Sequence, residues 1–305
     1  MRENGVLPAR GLPVQAEVFA INLGKSAGRS PCGGSKKQGD VGMKIAIVTG
    51  ASSGIGKEVF TALPEHGGYD EVWAIARNEE RLSALKQNYP FPVRTISLDL
   101  SREESIETLS GMLKEVQPEI AFLANCSGYG KFEAVENISL SDSLGMVDLN
   151  CRALTALTML ALPYMKAGGE IMQIASVAAF QPVPYIAVYA ASKAYVLSFS
   201  RALREELKPR KIKVTAVCPF WTKTAFFDRA VTKTEAGKEP VVKKYTAMYD
   251  PKKVVRRAFS DLKKGKGVSK YGFVARAQAA ACKVLPHSLV MKIWLRQQKL
   301  NKKKD

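Results

Sequence analysis

Lys44-Ile45-Ala46-Ile47-Val48-Thr49-Gly50-Ala51-Ser52-Ser53-Gly54-Ile55-Gly56 is the stretch that decides the fold of this chain. Residues 44–48 are a short apolar, β-branched run, as expected of a strand buried on both faces. Glycines follow at once, and Lys57-Glu58-Val59-Phe60-Thr61-Ala62-Leu63 continues as a helix-forming stretch. A strand, a glycine turn and a helix in that order aim free backbone N–H groups and the positive helix end at a pyrophosphate. Gly50, Gly54 and Gly56 let the backbone approach phosphates where a Cβ would block it, and Ser52, Ser53 and Ile55 share the turn as nucleotide-contacting candidates. The spacing G-x-x-x-G-x-G is a variant of the G-x-G-x-x-G fingerprint, and an ordinary glycine-rich loop is the competing reading.

Further along, Val72-Trp73-Ala74-Ile75-Ala76 reads as a second buried strand ending at Arg77. A site for NAD usually carries an acid there, for the ribose 2′-hydroxyl. This chain has Ala76 and then a guanidinium, which suits a 2′-phosphate, so NADP(H) is expected over NAD(H). The alternative for Arg77 is a pair with Glu79 or Glu80 on the helix that follows.

A second constellation supplies the chemistry. Ser176 stands at the end of the strand-like run 170–175, and Tyr189 and Lys193 lie four apart in a helix-forming stretch over 188–207, so they share a face. A tyrosine ordinarily holds its proton to a pH of about 10. A neighbouring ammonium and a positive nicotinamide ring are expected to lower that value, so that Tyr189 exchanges a proton with a substrate oxygen while hydride moves to or from carbon. Ser176 would hydrogen-bond the same oxygen. Taken alone, Tyr-x-x-x-Lys is common on helices, with a packed Tyr and a solvated Lys as the plain reading. Its order after the glycine turn and the serine makes it specific.

With both halves in view, the chain resembles the short-chain dehydrogenase/reductase family, from about Met43 to Lys270. Asn125-Cys126-Ser127-Gly128 resembles the family's N-N-A-G segment, with Cys126 and Ser127 as departures, and the resemblance makes Asn125 a cofactor-binding candidate. It also implies that Asn150 completes a catalytic tetrad with Ser176, Tyr189 and Lys193, keeping a helix kinked and holding a water in the proton relay. By the same resemblance Asp99 hydrogen-bonds the adenine, and Cys218 to Thr224 corresponds to the P-G-x-x-x-T segment at the nicotinamide, with Thr224 a contact and Phe220 in place of the glycine. Residues 220–249, rich in aromatics, would form the lid over the substrate, about half of those side chains packing the lid on the body.

Apolar runs near residues 44, 72, 93, 119, 170 and 212 alternate with helical stretches, which predicts one doubly wound α/β domain over 43–270: a Rossmann-like parallel sheet with helices on both faces. Charge divides the chain unevenly. Of 46 basic and 28 acidic residues, 43–249 hold 24 and 22, whereas 250–305 hold 16 and 3. The C-terminal segment 271–305 reads as a basic amphipathic extension. After Pro286, Lys292, Arg296 and Lys299 recur on one helical face with Leu289, Val290, Ile293, Trp294 and Leu300 mostly opposite, and Lys302 to Lys304 follow. Residues 286–305 therefore suit either an anionic membrane surface or packing on the body. No apolar run approaches the roughly 18 residues of a membrane span, and no nucleic-acid module accompanies the charge.

Residues 1–42 are rich in Gly, Pro, Arg and Lys and are expected to be a disordered leader, with translation beginning at Met43 favoured over a targeting segment. Five widely spaced cysteines suit a reducing cytoplasm. His66 and His287, the only histidines, lie away from the motifs, so no metal site is expected. The expected function is an NADP(H)-dependent interconversion of ketone and secondary alcohol on a small apolar, steroid-like or acyl molecule, in a cytoplasmic homo-oligomer. The alternatives are a non-catalytic NADP(H)-binding regulator acting through a partner and a basic membrane- or nucleic-acid-associated scaffold.

Overall fold

The computed structural model describes residues 42–231 and 240–300. The leader, apart from Gly42, lies outside the described residues, as do 232–239 of the expected lid and Lys302 to Lys304. Seven parallel strands form one sheet: β1 (Lys44–Thr49), β2 (Glu71–Ala76), β3 (Val93–Ser97), β4 (Glu119–Asn125), β5 (Glu170–Ile174), β6 (Lys213–Val217) and the short β7 (Val268–Ser269). Their order is β3-β2-β1-β4-β5-β6-β7. The chain winds outward from β1 in one direction as far as β3 and then crosses back to place β4 on the other side of β1. That reversal opens a crevice beyond the C-terminal strand ends, where open α/β sheets take ligands.

Helices cover both faces. In chain order they are α1 (Gly54–His66), α2 (Glu79–Ser83), α3 (Glu103–Val116), α4 (Leu140–Val147), α5 (Leu154–Ala161), α6 (Ala187–Leu207), α7 (Phe226–Ala230), α8 (Pro251–Lys263), α9 (Phe273–Val284) and α10 (His287–Gln298). Phe60 and Leu63 of α1, Leu82 of α2 and Val255 and Leu262 of α8 pack on one face of the sheet. Leu109 and Leu113 of α3, Leu157 of α5 and Leu203 and Leu207 of α6 pack on the other. Because both faces are covered, β1 and β2 read as continuous apolar runs rather than alternating ones.

One expectation changes here. The helical stretch Leu140–Tyr164 is long and apolar enough, by length and composition, to cross a membrane, with mean hydropathy 1.2. Asp142, Asp148 and Arg152 interrupt its apolar run, so no unbroken segment stands out in the sequence. Its C-terminal part packs in the core, with Leu154, Leu157 and Ala161 buried and Asn150 wholly enclosed, whereas Leu140 and Leu144 at its start are exposed.

Candidate active site

A cavity of about 1040 Å³ runs along the C-terminal edge of the sheet, lined by the glycine turn, the ends of β2 and β3, the Ser176–Lys193 constellation and the C-terminal helices. Gly50, Ser52, Ser53, Gly54, Ile55 and Gly56 all line it. Gly50 has φ +64°, and a Cβ on Gly56 would stand 2.2 Å from the Gly50 carbonyl oxygen, so the turn closes only with glycine there. Ser53 is the N-cap of α1, but its side chain makes no capping hydrogen bond. The first N–H groups of α1 are thus left for a ligand. Thr224 packs beside this turn: a Cβ on Gly54 would meet the Thr224 Cβ at 3.4 Å.

Arg77 and Asp99 line the cavity together, 3.9 Å apart, so the ion-pair partner of Arg77 is Asp99 rather than Glu79 or Glu80. Burial tends to raise the Asp99 carboxyl, but hydrogen bonds from Ser101 and the charges of Arg77 and Arg102 hold it below its ordinary value. Arg81, outside the motifs recognised in the sequence, lines the same cavity. Its clue was Asn78, whose side chain caps α2 by accepting the Arg81 N–H at 2.7 Å.

Asn125 lies behind the cavity wall, with its Oδ1 buried and without a partner among the described residues. Its amide is buried and donates to Thr158 (3.1 Å) and Gln173 (2.9 Å), tying β4 to α5 and β5, while Cys126, Ser127 and Gly128 line the cavity instead. Strand alternation is the cause: the residue that ends β4 faces the helix layer, and the crevice is met by the backbone after it.

Asn150 sits in a π-helical turn, Asp148–Ala153, between α4 and α5. Its side chain accepts the Tyr129 N–H (3.1 Å) and donates to the Tyr129 carbonyl (2.9 Å) and the Ser192 hydroxyl (2.9 Å). A side chain with both amide hydrogens and its oxygen engaged here fixes the extra residue of the turn, a device common at functional sites. Gly128 closes the same corner, since a Cβ there would stand 2.8 Å from Asn150 Oδ1 and 3.2 Å from Lys193 Nζ.

Ser176, Tyr189 and Lys193 come together on the cavity wall. Ser176 caps the turn after β5, accepting the Ala178 N–H, and its hydroxyl hydrogen-bonds the Tyr189 phenol. Lys193 Nζ donates to the Ile174 carbonyl at 2.8 Å and lies 5.8 Å from the Tyr189 ring centroid. Among the protein's own groups, burial pushes Tyr189 up to about 12, and the Ser176 hydrogen bond only partly offsets it. Burial also pushes Lys193 down to about 8. The ammonium is engaged by a backbone carbonyl and is itself desolvated, so the protein's own groups favour a protonated phenol.

The other wall is apolar. Phe220, Trp221, Phe226 and Phe227 line the cavity, while Tyr245, Met248 and Tyr249 of the same stretch do not. Phe220, in place of the glycine, has no left-handed backbone, so the loop tolerates its side chain. The roof of the cavity comes from the C-terminal helices. Val274, Gln278 and Cys282 of α9 and Val290, Ile293 and Trp294 of α10 also line the cavity. Trp294 is buried, donates its indole N–H to the Pro184 carbonyl at 3.0 Å and lies 6.4 Å from Trp221. Gln298 locks the end of α10 by accepting the Lys243 and Lys244 N–H groups. The stripe read as one amphipathic face therefore splits, with Val290 and Trp294 against the body, Leu289 outside and Ile293 at the cavity's rim.

A family model described as "short chain dehydrogenase" matches residues 44–235. An uncharacterized oxidoreductase of Staphylococcus epidermidis is 29% identical over 178 residues, which span 58% of this chain and 76% of that one. Among solved structures, a short-chain dehydrogenase from Sphingobium yanoikuyae in complex with NADPH is 25% identical, with a TM-score of 0.65 over 82% of this chain and 95% of that one. A short chain dehydrogenase/reductase from Burkholderia phymatum in complex with NAD is 18% identical, with a TM-score of 0.67 over 83% and 96%, a likeness of fold.

Proposed function

Since this chain belongs to the short-chain dehydrogenase family, and so is a nicotinamide-dependent oxidoreductase, we propose that it uses NADP(H) to interconvert a ketone and a secondary alcohol on an apolar, steroid-like or acyl substrate. The observation that carries this reading is the convergence of Ser176, Tyr189 and Lys193 on a cavity whose facing wall carries Phe220, Trp221, Phe226 and Phe227. The dinucleotide fits the residues present: Gly50 and Gly56, where a Cβ would strike neighbouring backbone, keep the turn tight at the cavity, and the first turn of α1 is uncapped by Ser53. Gly50, Ser52, Ser53, Gly54, Ile55 and Gly56 would hold its phosphates, Asp99 its adenine end and Thr224 its nicotinamide end. Arg77 and Arg81 favour a 2′-phosphate, because a guanidinium meets phosphate oxygens through paired, charge-assisted hydrogen bonds.

When bound, the nicotinamide supplies hydride exchange with carbon and, when oxidised, a positive charge. Tyr189 gives its phenolic proton to the carbonyl oxygen in reduction and recovers it in oxidation. Ser176 donates a hydrogen bond to the same oxygen. Lys193, while it keeps its proton, stabilises the phenolate that forms. Asn150, through the π-helical turn, anchors the proton relay that serves Lys193. Burial of Tyr189 suits the reductive direction at neutral pH, since the acid form is the one present.

We read the protein as cytoplasmic, in keeping with free thiols at Cys126, Cys151, Cys218 and Cys282. Self-association would use the exposed Leu140, Leu144, Met159 and Tyr195 of α4 to α6, and a peripheral membrane contact would use the C-terminal helices. The test follows loss of reduced-nicotinamide absorbance with NADPH or NADH against ketosteroids, 3-oxoacyl thioesters and small ketones. Turnover is expected to be well above that with NADH when NADPH is used, with Tyr189→Phe at least about 100-fold slower and Arg77→Ala losing mainly the NADPH preference. Tight nucleotide binding with full biological function in Tyr189→Phe would instead mark a regulator.

A further inference from the structure

The outer surface of α9 and α10 carries an unusual combination. Phe273 is 76% exposed, Val284 83%, Leu289 43% and Ile293 42%. From residue 273 to residue 298 the two helices carry four Lys and Arg and no Asp or Glu. Arg276 and Lys283 of α9 and Lys292 and Arg296 of α10 are exposed among the apolar side chains, and the ion pairs of the described residues include none of the four. Phe273 and Ile293 also line the cavity, and a side chain that is both outward-facing and cavity-lining stands at the cavity's rim.

We propose that the α9–α10 face docks on an anionic lipid surface and presents the cavity mouth to it, so that an apolar substrate enters from the membrane rather than from water. Charge complementarity selects this occupant. A face with basic side chains and no carboxylate is attracted to acidic headgroups, while apolar side chains standing between the bases reach past those headgroups to the acyl boundary. Long Lys and Arg stems can lie along the apolar layer with their charges in the headgroup region. The residues at the contact differ from those the sequence pattern suggests: Trp294 and Val290 are occupied in roofing the cavity, and Phe273 and Val284 of α9 take their place. The proposal rests on the apolar-substrate reading given above.

Its test is co-sedimentation of the full chain with vesicles of phosphatidylcholine alone or with about 30% phosphatidylglycerol. Wild type is expected on the anionic vesicles only, and released at about 0.5 M salt. Val284→Asp/Leu289→Asp, neither residue lining the cavity, is expected to bind about tenfold more weakly with an unchanged unfolding midpoint. It should keep the wild-type rate on a small water-soluble ketone but lose vesicle stimulation on a long-chain one. Tyr189→Phe is expected to bind vesicles as wild type does without turning over, so that failure of docking and failure of the catalytic reading are told apart. Absence of vesicle binding, equal binding of the double variant, or a change in that variant's mass in solution, which would make the face a contact between copies, each overturns the proposal.

Discussion

At the scale of single residues, Lys193 is the most consequential side chain after Tyr189. Its ammonium is buried against the Ile174 carbonyl and burial lowers its pKa to about 8 from an ordinary 10.5. For ketone reduction, kcat/KM is expected to hold through neutral pH and fall as pH rises through about 8, where Lys193 loses the proton that stabilises the phenolate. Stability runs the other way. The native state releases this proton before the unfolded chain does, so this group's contribution rises with pH between about 8 and 10.5. A kcat/KM profile and unfolding midpoints over that range measure both, and a rate that climbs through pH 8 would contradict the assignment. Ser176, Tyr189 and Lys193 were legible as a set because strand end and i,i+4 helix spacing are local geometry. The direction of the tyrosine's shift was not, because it depends on how deeply folding buries the phenol.

At the scale of elements, α10 distinguishes a roof from an appendage. Trp294 is pinned by its bond to Pro184 and packs among Val183, Ile186 and Val242. Removing a buried tryptophan costs about 3–5 kcal/mol, more than the contacts of a short terminal helix are expected to withstand. Trp294→Ala should therefore raise KM for an apolar ketone about tenfold while leaving nucleotide affinity within about twofold, since the glycine turn lies on separate elements. Steady-state kinetics with nucleotide titration decides it; unchanged KM would return α10 to the status of an extension. The amphipathic pattern of 286–305 was visible in the sequence. What its apolar side would cover was not, because an apolar stripe has the same period whether it meets lipid or protein.

At the scale of the whole molecule, the end of the sheet opposite the cavity is tied by charge. Glu170 at the start of β5 meets His66 Nε2 of α1 at 2.5 Å and Lys213 Nζ of β6 at 3.1 Å. Burial tends to raise the Glu170 carboxyl, but His66 and Lys213 more than offset it and hold it below its ordinary 4.5. The stability it contributes is present above that ordinary value and is lost as pH falls through the lowered one. Glu170→Gln is expected to lower the unfolding midpoint at neutral pH by several degrees and to flatten its acid decline. A midpoint curve parallel to wild type at every pH would sink the idea. By itself the sequence determined the doubly wound sheet, the nucleotide turn and the proton-transfer set. Each is written in short-range periodicity and spacing: β-branched runs, the glycines of residues 50–56, and a Tyr and Lys one helical turn apart. Only the tertiary structure decided that Asn125 turns into the core, that Arg77 faces Asp99, and that α9 and α10 close the cavity. Those outcomes depend on contacts between residues distant in the chain, such as Trp294 with Pro184, and chain folding alone brings such residues together.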